Sequence, residues 1–315
     1  MKYAIISDVH GNLPALNAVI EDAEKRNIDG FIFAGDYCLN SPWPDECITR
    51  IRQLDNAYVI RGNEERYLEN LVGKNPNTWL DGQMQISYWV YQKLSPENLN
   101  YLLSLPTNMN FSCHDVSVNM AHSSADFIGA CELKEWRTSK VAERYKDRFV
   151  SPETFKQDIH NYFENAQEFG EVLDDLSDGI YIFGHSHIQW SYQSADGRKL
   201  LINPGSCGLP LDCIEHGVPY TILGIQDKKN IFVEERRVAF DKEKYIELLL
   251  ESEQFEKAYV WTRIIAKEIK TNREHITFFF KHVEEYAEKI GDKERPYSLS
   301  TWEKAFELCA EKYKI

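Results

Sequence analysis

The chain has 315 residues, 43% hydrophobic and 27% charged, enough apolar side chain to bury one large domain or a domain with an appendage. A formal net charge of −14 excludes non-specific attraction to nucleic acid or to an anionic membrane surface. No apolar run approaches the ~20 residues of a membrane span, and the seven cysteines form no CxxC pair and read as reduced, structural thiols.

The first 63 residues read as alternating strand and helix. Lys2–Ile6 is an apolar strand, and the absence of a charged-then-apolar leader before it predicts a cytoplasmic protein. Leu13, Leu16, Val19, Ile20 and Ala23 then recur at helical spacing. Gly30–Ala34 and Tyr58–Ile60 are the next strands, with a helix near Asp45–Leu54 between them. Strands separated by helices pair in parallel and carry functional residues at their carboxyl ends. Asp8, Asp36 and Asn63 stand there. Taken singly, each reads equally well as a helix cap.

Residues 64–105 are expected to be helical, with Ser95-Pro96 starting one helix and Glu64 and Glu65 favourably opening another. Met109–Cys113 and Val116–Ala121 read as a hairpin that delivers His122. Residues 123–178 are polar, carry no motif, and are expected to form a cap inserted between core strands. The apolar strand Ile180–Phe183 runs into Gly184-His185-Ser186-His187. Gln189–Gln193, Lys199–Ile202, Tyr220–Ile225 and Ile231–Arg237 are expected to be antiparallel strands of a second sheet. From Asp241 onward 14 Lys/Arg face 16 Asp/Glu, and the pattern turns helical over Tyr245–Leu250, Phe255–Ile269, Ile276–Ile290 and Trp302–Tyr313. The expected organisation is a catalytic domain over 1–238 and a helical extension over 239–315.

Asp8, His10, Asp36, Asn63, His122, His185 and His187 offer two aspartates, an asparagine and four imidazoles. Carboxylate with imidazole suits two divalent transition ions, Mn²⁺ foremost, with Fe, Zn, Ni or Co also matched; the lack of cysteine argues against a structural zinc. Asp36 is the natural bridging carboxylate. Two ions about 3.5–4 Å apart share a hydroxide and stabilise the attacking and leaving oxygens of an in-line displacement at phosphorus. No side-chain nucleophile is then needed, and no Gly-x-Ser-x-Gly elbow is present. His114, His160, His216, His275 and His282 are expected to be surface or hydrogen-bonded residues, and Phe278–Phe280 core or subunit interface.

The order D-x-H, G-D, G-N, H, G-H-x-H resembles that of the calcineurin-like metallophosphoesterase superfamily. Asp8-Val-His-Gly-Asn-Leu13 and Asn203-Pro-Gly-Ser-Cys-Gly208 are most similar to its small bacterial phosphodiesterase branch. The resemblance spans residues 1–238. It implies an α/β fold, a four-layer αββα sandwich with the metals between the sheets. It also implies one ion on Asp8, His10, Asp36 and His187 and another on Asp36, Asn63, His122 and His185. Asp36, Asn63 and His122 would be catalytic, with Asn12 and Asn63 near the phosphate. Two departures stand out. Glu64 and Glu65 occupy the stretch where many members carry a histidine that helps protonate the leaving group, and a carboxylate there is a poorer acid at neutral pH. Leu211 follows Pro210 where the branch usually has a Pro-Arg pair, leaving Arg61 and Arg66 to supply phosphate-facing charge.

The expected function is hydrolysis of a small phosphodiester or a nucleotide anhydride, such as a dinucleoside polyphosphate, with net inversion at phosphorus. A phosphomonoesterase or Ser/Thr protein phosphatase is the alternative among enzymes. A metal-free scaffold on the same fold is the alternative outside them, and seven intact coordinating side chains weigh against it. The 239–315 helices are expected to pack beside the cleft and narrow it without supplying ligands, with a homodimer through those helices as the rival.

Overall fold

The computed structural model describes residues 1–128 and 134–314; Cys131 lies outside the described residues. The chain opens with β1 (Lys2–Ile6), α1 (Leu13–Glu24), β2 (Gly30–Phe33), α2 (Pro44–Arg52) and β3 (Ala57–Val59), and the three strands pair in parallel as expected. The helix α1 starts where the Asn12 side chain accepts from the Ala15 N–H, with a proline in its first turn. Three helices follow, α3 (Asn63–Glu69), α4 (Gln85–Lys93) and α5 (Pro96–Ser104), the last capped by Ser95 as its sequence predicts. Between α3 and α4 the expected helix is interrupted by turns and one 3₁₀ segment at Pro76–Thr78, because Gly73, Pro76 and Gly82 break the helical ladder.

The hairpin β4 (Asn108–Cys113) and β5 (Val116–Ala121) is followed by α6 (Ala125–Ile128), α7 (Thr138–Tyr145), α8 (Pro152–Asn165) and α9 (Gln167–Asp175). Then come β6 (Gly179–Ile182), β7 (Gln189–Gln193), β8 (Lys199–Pro204), β9 (Val218–Ile225) and β10 (Ile231–Val238). Among the described residues the strands make two mixed five-stranded sheets, ordered β10-β9-β1-β2-β3 and β4-β5-β6-β8-β7. This corrects one expectation. The strands β9 and β10 do not join β7 and β8; β9 lies antiparallel to β1, with Tyr3 opposite Leu223, while β8 runs parallel to β6. Every residue of β9 is buried, so its continuous apolar run marks a central strand without naming its sheet.

Alternation along the strands builds the layers. Tyr3, Ile5, Ile32 and Ala34 from the first sheet meet Val118, Met120, Ile180, Ile182, Leu200 and Ile202 from the second in one core between the sheets. Their neighbours Ala4, Ile6, Phe31 and Phe33 face outward onto Leu16, Val19 and Ile20 of α1 and Ile48 of α2. On the far side Tyr181, Phe183 and Leu201 pack against Val141, Phe155, Ile159, Phe163 and Phe169. The described residues of 123–178, the segment expected as a cap, therefore supply this outer helical layer. The order of layers is α, β, β, α.

The chain ends in α10 (Lys242–Leu250), α11 (Glu253–Lys257), α12 (Tyr259–Thr271), α13 (Ile276–Ile290) and α14 (Leu299–Cys309). The single helix expected over Phe255–Ile269 is split at Ala258, whose backbone (φ −138°, ψ 54°) is not helical. Tyr245, Ile246 and Leu249 of α10 and Ile265 and Ile269 of α12 share a buried cluster with Leu209 and Leu211. Phe279 and Val283 of α13 are buried with Trp302 and Phe306 of α14, with Phe280 packed against them, so of Phe278–Phe280 the last two contribute to a core. Within the described residues no helix is long and apolar enough to cross a membrane.

Candidate metal centre

The loops that leave β1, β2, β5 and β6, together with the start of α3, meet at one edge between the sheets. They bring Asp8, His10 and His187 together with ligand atoms within 4.8 Å of one another, and likewise Asp36, His122 and His185. Asn63 completes the second group, its Oδ1 lying 3.1 Å from His122 Nε2. His10, Asp36 and Glu64 also fall within that 4.8 Å limit, which joins the two clusters. All seven residues singled out as ligands thus come to one place. Backbone hydrogen bonds zip the loops together, from Asp8 N–H to Gly35 O (3.0 Å) and from His10 N–H to Asp36 O (3.1 Å). Gly62 is required by close approach: a Cβ there would stand 2.1 Å from Asp36 Oδ1.

The imidazoles are aimed by their second nitrogens. Nδ1 of His122 lies 2.7 Å from Ala34 O, Nδ1 of His187 lies 2.9 Å from Leu209 O, and Nδ1 of His10 lies 2.9 Å from Glu64 Oε1. The Ala34 and Leu209 carbonyls and the Glu64 carboxylate can only accept, so each Nδ1 carries the hydrogen, although Asn40 Nδ2 also lies 3.1 Å from Nδ1 of His10, and each Nε2 turns a lone pair into the cage. The Nε2 atoms of His10 and His187 then face each other at 2.9 Å, with Asp8 Oδ1 at 3.4 Å from the latter. Nε2 of His122 faces Asp36 Oδ2 at 3.2 Å. Asp8 Oδ1 is buried without a hydrogen-bond partner. Lone pairs converging on lone pairs are stable only around cations, so the donor set fits metal ions.

The electrostatics agree. Burial works against charge on His10, but Glu64 and Asp8 outweigh it and raise its pKa to about 9. Burial likewise opposes charge on His122, and Asp36 raises it to about 10. Burial lowers His187 to about 4, with His10 adding to the effect. Despite its burial, Asp36 is held below the usual carboxylate range by His122 and His10. The carboxylates thus favour positive charge on His10 and His122, the direction a cation site requires.

Several residues differ from their expected roles. Glu64 and Glu65 begin α3 but do far more than open it. Glu64 is buried, accepting from Leu39 N–H (3.1 Å) as well as facing His10, so it does not reach a leaving group. Glu65 is fully buried and accepts from Gly62, Asp36 and Tyr37 N–H at 2.7, 3.1 and 2.9 Å, and burial with neighbouring Asp36 raises its pKa to about 7. Asn12 does not face the centre; it is fully buried, spending Oδ1 on the α1 cap and Nδ2 on Gly208 O (2.9 Å). Arg61 and Arg66 both line a cavity of about 570 Å³ that opens on Asn63, His122 and His185. Arg61 is paired with Glu69 at 3.1 Å. Leu211 is buried in the apolar cluster with α10 and α12, which accounts for leucine after Pro210.

The sequence reading missed Asn40 and Trp261. Asn40 donates to Glu64 Oε1 (2.9 Å), and Trp261 lines a second cavity of about 190 Å³ with His10, Asp36, Asn63, His185 and His187. Asn40 lies four residues past the Gly-Asp motif, a signal that could have drawn attention to it; Trp261 is 225 residues past Asp36 and left none. Of the other histidines, His282 Nε2 bonds Ala305 O (3.1 Å), His275 Nε2 lies 3.0 Å from Thr271 Oγ1, and His114 and His216 are exposed, as expected, whereas Nε2 of His160 is buried without a hydrogen-bond partner among the described residues.

Comparison with known proteins follows the same lines. A family model for the calcineurin-like phosphoesterase superfamily domain matches residues 1–228. An uncharacterised protein of Methanocaldococcus jannaschii is 26% identical over 264 residues, covering 79% of this chain and 92% of that protein. Among solved structures, a metallophosphoesterase from Sphaerobacter thermophilus superposes with a TM-score of 0.58 at 21% identity, over 86% of this chain and 100% of the other. A hypothetical protein from Pyrococcus horikoshii superposes with a TM-score of 0.55 at 16% identity, over 87% of this chain and 99% of the other.

Proposed function

The chain belongs to the calcineurin-like phosphoesterase superfamily and is a metal-dependent phosphoesterase, and from that premise we propose that it hydrolyses a small phosphodiester or nucleotide anhydride at a dinuclear centre. The observation that carries this reading is the meeting of two ligand clusters at Asp36, one with Asp8, His10 and His187, the other with Asn63, His122 and His185. Two bound ions, Mn²⁺ foremost, would activate water and stabilise the charge that develops at phosphorus. The chain's own residues hold the rest. Asp36 bridges the clusters, and Asn63 and His122 stand where the phosphate meets the larger cavity.

The larger cavity, about 570 Å³, leaves room for a nucleoside-sized substituent on a phosphate bound at the centre, while the one of about 190 Å³ is walled in part by the candidate ligands themselves. Arg66 is exposed on the wall of the larger cavity and has no ion-pair partner among the described residues, so it is the cation best placed for a second phosphate; Arg61 is partly neutralised by Glu69. With Glu64 committed to His10, no residue at that position protonates a departing alkoxide, which favours leaving groups of low pKa. We place this activity in the cytoplasm, consistent with six buried, unpaired cysteines.

The test is turnover of bis-p-nitrophenyl phosphate with Mn²⁺, abolished by EDTA, with a several-fold rise in KM for dinucleoside polyphosphates in Arg66→Ala. Simple alkyl monoesters turned over faster than activated diesters would overturn the substrate reading.

A further inference from the structure

Two hydrogen bonds run from the C-terminal helices to one residue of the catalytic loops. Trp261 Nε1–H, from α12, donates to Asn40 Oδ1 at 2.6 Å, and Gln254 Nε2 donates to Asn40 O at 3.0 Å. Asn40 is buried and holds a left-handed backbone (φ 83°). Its amide is polarised in one sense, because the oxygen faces an indole that can only donate and the nitrogen faces Glu64 Oε1 at 2.9 Å, lying also 3.1 Å from His10 Nδ1. That same carboxylate oxygen is the acceptor for Nδ1 of His10. A continuous line of directed hydrogen bonds therefore joins the extension to a ligand of the metal centre.

We propose that Trp261 is a positioning residue of the metal centre: through Asn40 it holds Glu64 against His10 and so fixes the direction of His10 Nε2. The proposal rests on the dinuclear reading of the site. The chemistry is that of an outer-shell partner, where a hydrogen bond to the ligand's second nitrogen sets ring orientation and ligand strength. What is unusual is its source, a helix outside the matched 1–228 domain. Glu64 accepts from both Asn40 and His10 through Oε1, and from Leu39 N–H through Oε2. Without Asn40's amide in place, Oε1 keeps only His10 and Oε2 only Leu39 N–H, so the carboxylate is held less firmly against the imidazole.

A matched pair of variants separates positioning from simple docking. Trp261→Phe removes the indole N–H but keeps an aromatic ring against Trp302 and Phe280. Tyr245→Phe removes a buried hydrogen bond of the same kind, from the extension to Ser41 Oγ, the residue next to Asn40, whose hydroxyl makes no hydrogen bond leading on to His10 among the described residues. The experiment is calorimetric titration of the full-length, metal-stripped protein with Mn²⁺, beside its melting temperature. Expected for Trp261→Phe is one of two binding steps weakened about 10- to 100-fold, and for Tyr245→Phe two unchanged steps. Asn40→Gly, which suits the positive φ, should weaken the same step, and adding Trp261→Phe to it should weaken it no further. If Trp261→Phe does not fold, Asn40→Gly alone carries the test. Both binding steps unchanged in Trp261→Phe or in Asn40→Gly, equal losses in Trp261→Phe and Tyr245→Phe, or additive losses in the double variant would each overturn the proposal. A wild-type protein that binds no Mn²⁺ would instead overturn the reading of the site, and this inference with it.

Discussion

In left-handed backbone a side chain leaving a strand end turns back toward the sheet edge, and Asp8, His10, Asp36, His185 and His187 all adopt it, with φ between 52° and 67°. Asp, Asn and His tolerate that region better than most residues, but each still carries a cost of order 1 kcal/mol that the surrounding structure must overcome. The hydrogen bonds that overcome it centre on Asp36 and Glu65. Glu64 N–H donates to Asp36 Oδ1 at 2.9 Å, while Asp36 N–H donates to Glu65. The unequal roles of two ligands give a clean prediction. His185 is exposed and belongs to one cluster, whereas Asp36 stands between both. Elemental analysis should find one ion fewer in His185→Ala than in wild type and neither tightly held ion in Asp36→Ala. Equal metal content in Asp36→Ala and wild type would remove the bridge from the account.

Helix α1 is tied to the first sheet by more than its apolar stripe. Asp22 accepts from Arg26 Nε (3.0 Å) on the same helix, from Tyr220 OH (2.6 Å) on β9 and from Arg236 Nε (3.0 Å) on β10. Burial raises the pKa of this carboxyl, but the three donors prevail and hold it well below its ordinary 3.8. A carboxylate whose pKa is depressed on folding contributes stability above its unfolded pKa and loses it as pH falls through the folded value. At pH 7, Asp22→Asn should therefore lower stability by about 1–2 kcal/mol, allowing for its partial exposure. The gap between variant and wild type should shrink below about pH 4, where only the wild type still has this contribution to lose. Denaturant titrations at pH 7 and pH 3 measure it; a gap that widens in acid would show the link is not electrostatic.

At the scale of the whole chain, the C-terminal helices are built into the molecule. Leu209 and Leu211 from the loop after β8 are buried with Leu249 and Ile265, and Ala258 belongs to the core beneath the first sheet. Arg273 Nε donates to Lys146 O at 2.6 Å, fastening the far end of α12 to the outer helical layer. Of the apolar residues that raised the possibility of a second copy, Leu249, Ile264, Ile265, Phe279 and Val283 are buried within one chain, Phe255 and Tyr286 are half-buried, and Leu248 and Tyr259 stay exposed. Shared cores unfold together. Leu249→Ala, at a fully buried position, should cost about 2–5 kcal/mol and lower a single calorimetric transition that also reports loss of bound metal. A separate, low-temperature transition that leaves metal binding intact would instead mark the extension as an independent unit.

The sequence by itself picked out the residues of the candidate metal centre. The seven candidate ligands are short motifs at strand ends, and the βαβαβ pattern of the first 63 residues places three of them without any knowledge of distant contacts. The four-layer order came from the family resemblance and not from alternation, since β1, β2 and β6 are apolar and buried on both faces. Sheet membership of β9 and β10 was decided only by tertiary pairing, because a fully apolar strand is satisfied on either sheet. The same holds for Glu64, Asn40 and Trp261. Glu64 has the local pattern of a residue at a helix start, and its bond to His10 spans 54 positions; Trp261 reaches Asn40 across 221. Such links leave no trace in local periodicity or motif spacing, because their energy comes from burial and hydrogen bonding that exist only once the chain has closed on itself.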